Sequence, residues 1–436
     1  MSQGAPTINE CACCLICPYM VGAYSSGPCG RPGKGCYAPA GADLARRDLR
    51  RALAVPLERD AMPRWLYYLL ILAVIAPIIQ LVWGQQQEMA IFICSAIALI
   101  PLAGLIGRAT EDLEYYVGPI AGGLLNATFG NAPEIIIGIF ALQQGLISVV
   151  KASITGSIIS NALLVLGSSL ALGGWRWGKQ YFNARDAGQY SAMMVLAVAG
   201  LLIPATGSLI IRDSGRVQSI SIAVSVILLL VYGMYLALHV FHVRAERRSP
   251  KRHQAALAEE QGEVEVEAVT GGVDPHRLDE RNPPKPWLAA VLLLVATIGT
   301  ALNSELLVGA IVPVTRLLGW SPIFIGLVII PIVGNAAEHS SAVYIALRDR
   351  IDLSMAIAAG SSIQVATFVA PLLVLVSLFY ATPLNLVFQP LELVVLGLAT
   401  ILFALLSLDG ETTWLAGIQL VAVYIMACVV FFFIPA

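Results

Sequence analysis

Residues 129–142 read FGNAPEIIIGIFAL and residues 333–343 read VGNAAEHSSAV. The shared pattern is Gly130-Asn131-Ala132-Pro133-Glu134 against Gly334-Asn335-Ala336-Ala337-Glu338. A second match follows each copy: Gly156-Ser157-Ile158-Ile159-Ser160-Asn161 against Gly360-Ser361-Ser362-Ile363-Gln364-Val365. The offset is 204 residues in both cases, from Gly130 to Gly334 and from Gly156 to Gly360. Two matched motifs at one constant offset identify a duplicated unit.

Both copies sit in long apolar runs, and the whole chain shares that character. Of its 436 residues, 58% are hydrophobic and 12% charged. Soluble domains carry about 25% charged residues. So much apolar surface cannot be hidden in one soluble core, and lipid must solvate much of it. The net charge of −2 does not point to a nucleic-acid partner, no basic stripe suggests one, and none is expected.

A membrane-spanning helix needs about 20 mostly apolar residues. Candidates run over 65–83, 89–107, 119–142, 150–173, 189–208, 217–241, 287–308, 322–347, 353–378, 390–408 and 413–434. The expected fold is an all-α integral membrane protein of about eleven transmembrane helices. One peripheral helix would precede two five-helix repeats. Consecutive copies with an odd number of spans enter the membrane in opposite directions, which is the inverted-repeat design of secondary transporters.

Four regions follow: a tail over 1–62, spans one to six over 63–242, a linker over 243–286, and spans seven to eleven over 287–436. The tail is rich in Cys, Gly, Pro and Arg and reads as disordered. It lacks the apolar core of a signal peptide. The linker starts basic at Arg244 and turns acidic from Glu259 to Glu267. It cannot bury enough apolar area to fold alone. Six of the eight cysteines lie between Cys11 and Cys36. Reduced thiols, S-acylation near the membrane and metal binding by Cys11, Cys13, Cys14 and Cys17 are three readings of them. The last lacks clean zinc-site spacing. Lys and Arg gather beside alternate span ends, which puts the N-terminus and the linker on the cytosolic side.

A carboxylate at mid-membrane is costly, and this chain tolerates two at matching places, Glu134 and Glu338. Their motifs supply what an ion site needs. Gly130 and Gly334 allow close approach or a break in the helix. Pro133 favours the first turn of a helix and can begin one beside Glu134. Asn131 and Asn335 offer amide oxygens, and Ser157, Asn161, Ser361 and Gln364 add neutral oxygens on the next helix of each repeat. Two carboxylates with neutral oxygens suit a hard divalent cation such as Ca2+, which takes six to eight oxygen ligands. The spans hold no Cys or His cluster for a softer metal. The same carboxylates bind protons, so the two ions would compete for one site. His339 lies in a predicted span, where a satisfied structural histidine and a part in proton exchange are equally good readings.

These stretches, with Asn303 to Gly309 (NSELLVG) and Leu408 to Trp414 (LDGETTW), resemble the calcium/proton exchanger family of the calcium/cation antiporter superfamily. The resemblance covers roughly residues 64–435. It implies a vacuolar-type antiporter in which Glu134 and Glu338 hold Ca2+ and exchange it for protons. It further implies that Ser157, Asn161, Ser361 and Gln364 complete the site. Pro133 departs from the pattern, because a hydroxyl or branched residue is usual there. A sodium/calcium exchanger of the same superfamily is the nearest alternative, and a cation channel a more distant one. An enzyme is not expected: neither HExxH nor GxSxG occurs. No catalytic residue and no cofactor are expected, with Ca2+ and H+ as transported substrates. Partners would be these ions, the lipid bilayer and, in a homo-oligomer, a second copy. The membrane would be vacuolar or another endomembrane, or the plasma membrane in a bacterium.

Overall fold

The computed structural model describes residues 64–248 and 285–434. The tail expected over 1–62, with its six cysteines, lies outside the described residues, as does the acidic stretch Glu259 to Glu267.

Among the described residues, eight helices are long and apolar enough to cross a membrane. They are α1 (Leu66–Trp83), α2 (Glu88–Val117), α5 (Ile147–Trp177), α6 (Ala184–Ile210), α7 (Ser214–Arg248), α8 (Pro286–Leu318), α11 (Ile351–Ser377) and α13 (Trp414–Phe432). Two bent pairs add to these: α3 (Leu124–Gly130) with α4 (Ala132–Gln143), and α9 (Pro322–Gly334) with α10 (Ala336–Ala346). A shorter apolar helix, α12, covers Pro390–Leu406. The chain is helical from Glu88 to Gly130. Gly122 nevertheless lies against the side chain of Glu114. Eight residues of straight helix rise about 12 Å, so the chain folds back between α2 and α3.

The bent pairs fall where continuous spans are expected over 119–142 and 322–347. Helix α7 runs to Arg248, which takes the start of the expected linker into the helix. Helices α2 and α8 each run about three turns past their expected ends at 107 and 308. In α2 the expected end is followed by Arg108, but charge does not end a helix; in α8 the uncharged stretch continues past 308 to Thr315.

Only 11% of the α1 window is buried against 89% of the α5 window, so α1 is peripheral and α5 central. One strap holding α1 is Asn303, whose side-chain amide donates to the Ala73 carbonyl at 3.2 Å. The counterparts α5 and α11 run antiparallel. Asn161 Nδ2 meets Ser361 Oγ at 2.8 Å in their middle. Trp177 at the end of α5 donates to Leu347 O just before α11 begins. Lys151 near the start of α5 reaches Asn385 and Val387, past the end of α11. Helices α2 and α8 also pair antiparallel, with Ile106 and Ala109 packed with Leu293 and Ala296, and Leu102 against Gly299. Beyond the helices, β1 (Gln180–Tyr181) pairs with β2 (Glu411–Thr412). It joins the α5–α6 and α12–α13 connections, and the Lys179–Glu411 ion pair at 2.6 Å flanks it.

Candidate functional site

Each bent pair breaks at the motif asparagine. Asn131 has φ −102° and ψ 18° and Asn335 has φ −93° and ψ 15°. These values fall near the sparsely allowed bridge region, outside the helix. The axes bend by 53° and 58°. Glu134 and Glu338 therefore stand in the first turn of α4 and α10. A helix N-terminus carries a positive partial charge and unpaired N–H groups, which favour a carboxylate there.

The structure brings the two copies together across the repeats. Asn131 Nδ2 donates to Gln364 Oε1 at 2.7 Å. Asn335 Nδ2 donates to Ser157 Oγ at 3.1 Å. Asn161 Nδ2 donates to Ser361 Oγ, which donates in turn to Glu338 Oε2 at 2.6 Å. Every one of these bonds except the last joins one repeat to the other. Helices α5 and α11 widen by a π-turn beside these residues, at Ser160–Val165 and Val365–Val369. Such turns cluster at functional sites because they redirect carbonyls and side chains.

The two carboxylates are not equivalent. Glu134 is 4% exposed, and among the described residues neither carboxylate oxygen has a partner from another residue. It borders a small cavity lined by Gly138, Ser153, Ser157 and Val369. Glu338 is half-buried and held by Ser361. Asn161 Oδ1 is also buried without a partner, which leaves an oxygen free for a cation. His339 Nε2 is buried with no hydrogen-bond partner among the described residues.

The surroundings share this asymmetry. On the α9 side, Ile325, Leu327 and Ile330 are fully buried, and Gly156 meets the Leu327 backbone. On the α10 side, Ser340 and Ser341 are exposed one turn beyond Glu338. Leu124 of α3 is 57% exposed.

Close approach at Gly334 was expected, but two sets of contacts escaped the sequence reading. Gly334 packs against the Glu134 carboxylate: a Cβ there would lie 2.9 Å from Oε1. Its only sequence signal is the repeated motif. The second is a buried polar cluster beside the site. Lys151 Nζ donates to Asn385 Oδ1 at 2.5 Å and Val387 O at 2.6 Å. Thr155 donates to the buried Glu392 at 3.2 Å. Glu392 falls inside the predicted span 390–408, and that position was the available signal.

The family described as "Sodium/calcium exchanger protein" matches residues 88–241 and 288–433. The "Ca(2+)/H(+) antiporter" of Aphanothece halophytica is 40% identical over 357 residues, covering 81% of this chain and 92% of that protein. The "Vacuolar calcium ion transporter" of Schizosaccharomyces pombe is 38% identical over 81% of each chain. The structure of native YfkE superposes with a TM-score of 0.69 at 34% identity, covering 85% of this chain and all of that one. The H+/Ca2+ exchanger CAX shares the fold at 17% identity, with a TM-score of 0.61 over 84% of this chain and 91% of that one. With both halves matched and relatives aligned over most of their length, this multi-pass membrane protein belongs to the sodium/calcium exchanger protein family.

Proposed function

We propose that the protein exchanges Ca2+ for protons across a membrane, by alternating access to one site built on Glu134 and Glu338. The observation that carries this reading is the pairing of counterpart carboxylates, one without a partner, at helix breaks ringed by neutral oxygens from both repeats. The printed names of relatives such as the Aphanothece halophytica antiporter support Ca2+ and H+ as the exchanged ions.

The chemistry follows from charge balance. Two ionised carboxylates at mid-membrane are costly when nothing neutralises them. One Ca2+ neutralises the pair, and so do two protons. Either loaded form can then pass through the closed intermediate, while the empty dianion is held back. Ca2+ would take Glu134, Glu338 and oxygens drawn from Asn131, Asn335, Ser157, Asn161, Ser361 and Gln364, in keeping with its flexible oxygen coordination. His339 directly follows Glu338 in the chain and would serve the proton limb.

The exposed Ser340 and Ser341 support reading the α10 side as open in this conformation, and the buried α9 supports reading the other side as closed. The open face carries Arg176, Lys179, Arg348 and Arg350, so the positive-inside rule makes it cytosolic.

Radioactive calcium uptake into proteoliposomes with an acidic lumen tests the reading. Uptake driven by the proton gradient, and unaffected by replacing Na+ with choline, supports it. Uptake that needs a sodium gradient instead would establish the sodium/calcium alternative.

A further inference from the structure

One side of the site is closed by a helix contact whose symmetry mate is missing, and the inference drawn here rests on the alternating-access reading above. Helix α9 is docked on α5. A Cβ on Gly156 would overlap the Leu327 backbone, and one on Gly326 would stand 2.8 Å from both Val149 O and Ala152 Cβ. Val149, Ala152 and Leu327 are fully buried. The backbones meet because both glycines lack a side chain.

The offset of 204 residues maps this contact onto the other repeat. Gly156 corresponds to Gly360, Ala152 to Ala356, Val149 to Leu353 and Gly326 to Gly122. The small residues are all in place, but the contact is not made. Nothing lies within 4 Å of a Cβ built on Gly360. Gly360 and Leu353 are only half-buried, and Gly122 rests on the Glu114 side chain. Glycine inside a helix is unfavourable relative to alanine, and in this conformation Gly360 serves no packing need.

We propose that Gly360 is the docking point for α3 in the other half of the transport cycle. The turn carrying Gly122 swings with α3 onto α11, so that Gly122 leaves Glu114 and meets Ala356, and the backbone next to it meets Gly360. The face that is open here then closes, while α9 lifts from Gly156 and opens the opposite face. Gly360 acts in the conformational step and is not a ligand.

The test uses the full chain with Gly360→Ala and Gly360→Leu, reconstituted and compared with wild type. A Cβ on Gly360 meets none of the described residues within 4 Å, so folding and Ca2+ binding should persist in Gly360→Ala, and Ca2+ binding reports on the fold of Gly360→Leu. Exchange should fall by at least about tenfold in Gly360→Leu and by less in Gly360→Ala. A Ser341→Cys reporter in a cysteine-free background should be labelled by a membrane-impermeant thiol reagent. In Gly360→Leu that labelling should stay high under every ion condition. Wild-type exchange rates in Gly360→Leu, or loss of Ca2+ binding in parallel with exchange, would overturn the proposal. So would Ser341→Cys labelling that falls to a protected level in Gly360→Leu. A wild-type protein that exchanges no Ca2+ for H+ would sink the functional reading instead, and the labelling result would still decide the docking.

Discussion

Gly334 and Glu134 touch across the repeat boundary: a methyl group on Gly334 would lie 2.9 Å from Glu134 Oε1. The mate of this contact is absent. A Cβ on Gly130 would meet only Asn126 Oδ1, at 3.4 Å. The glycine of the second motif therefore makes room for the carboxylate of the first.

Gly334→Ala should accordingly push Glu134 off its position. Apparent Ca2+ affinity should fall about tenfold, the equivalent of about 1.4 kcal/mol, with the protein still folded. Gly130→Ala should change it much less. Equilibrium Ca2+ binding on both variants checks this, and equal effects would remove the asymmetry from the account.

Glu134→Gln and Glu338→Gln should each abolish exchange while folding and insertion persist. Gln keeps the size and hydrogen-bonding capacity of Glu but neither its charge nor its titratable proton. Flux measurements beside a thermal unfolding profile separate function from stability. Near-normal exchange in either variant would remove that residue from the site.

The Lys151–Glu392 cluster should matter for stability. Leaving a buried hydrogen-bonding group without its partner costs about 1–3 kcal/mol. Lys151→Met leaves Asn385 Oδ1 and Val387 O without their donor and removes a positive charge that acts on the buried Glu392. Glu392→Gln on top of Lys151→Met should recover much of the loss, and detergent unfolding midpoints read both. If the double variant were as unstable as the sum of the singles, the two groups would be uncoupled.

The Lys179–Glu411 pair should behave differently, since it is exposed at the membrane surface. The hydrogen bond to Glu411, and its charge, raise the Lys179 ammonium above the ordinary lysine value. Its stabilising contribution is therefore complete below that ordinary value and is lost only as pH rises through the higher folded one. Around neutral pH, Lys179→Ala should leave exchange unchanged. A flux loss there would mean that the β1–β2 clasp takes part in the cycle.

The duplication was legible because Gly130 to Glu134 and Gly334 to Glu338 repeat at the same offset as Gly156 and Gly360. The carboxylates were legible because ionised groups are rare in apolar runs. Gly130, Gly334 and Pro133 signalled that a break was possible, but not that both spans bend at Asn131 and Asn335, since a bent span has the same composition as a straight one. The partners of Lys151 were hidden because Asn385 and Val387 lie 234 and 236 residues away in sequence. The difference between Gly156 and Gly360 cannot be read from any sequence: both are glycines in matching motifs, and only the conformation separates them.

The most direct test of a shared site is Ca2+ binding as a function of pH on the purified protein. If protons and Ca2+ compete for Glu134 and Glu338, apparent affinity must fall as pH falls, by up to about tenfold per pH unit for each proton displaced. At high pH it should level off, because no proton remains to be displaced. The two protons belong to a coupled pair, so the curve should yield macroscopic constants rather than one per residue. Affinity that stayed the same from acidic to alkaline pH would contradict the shared-site account, even in a protein that transports calcium.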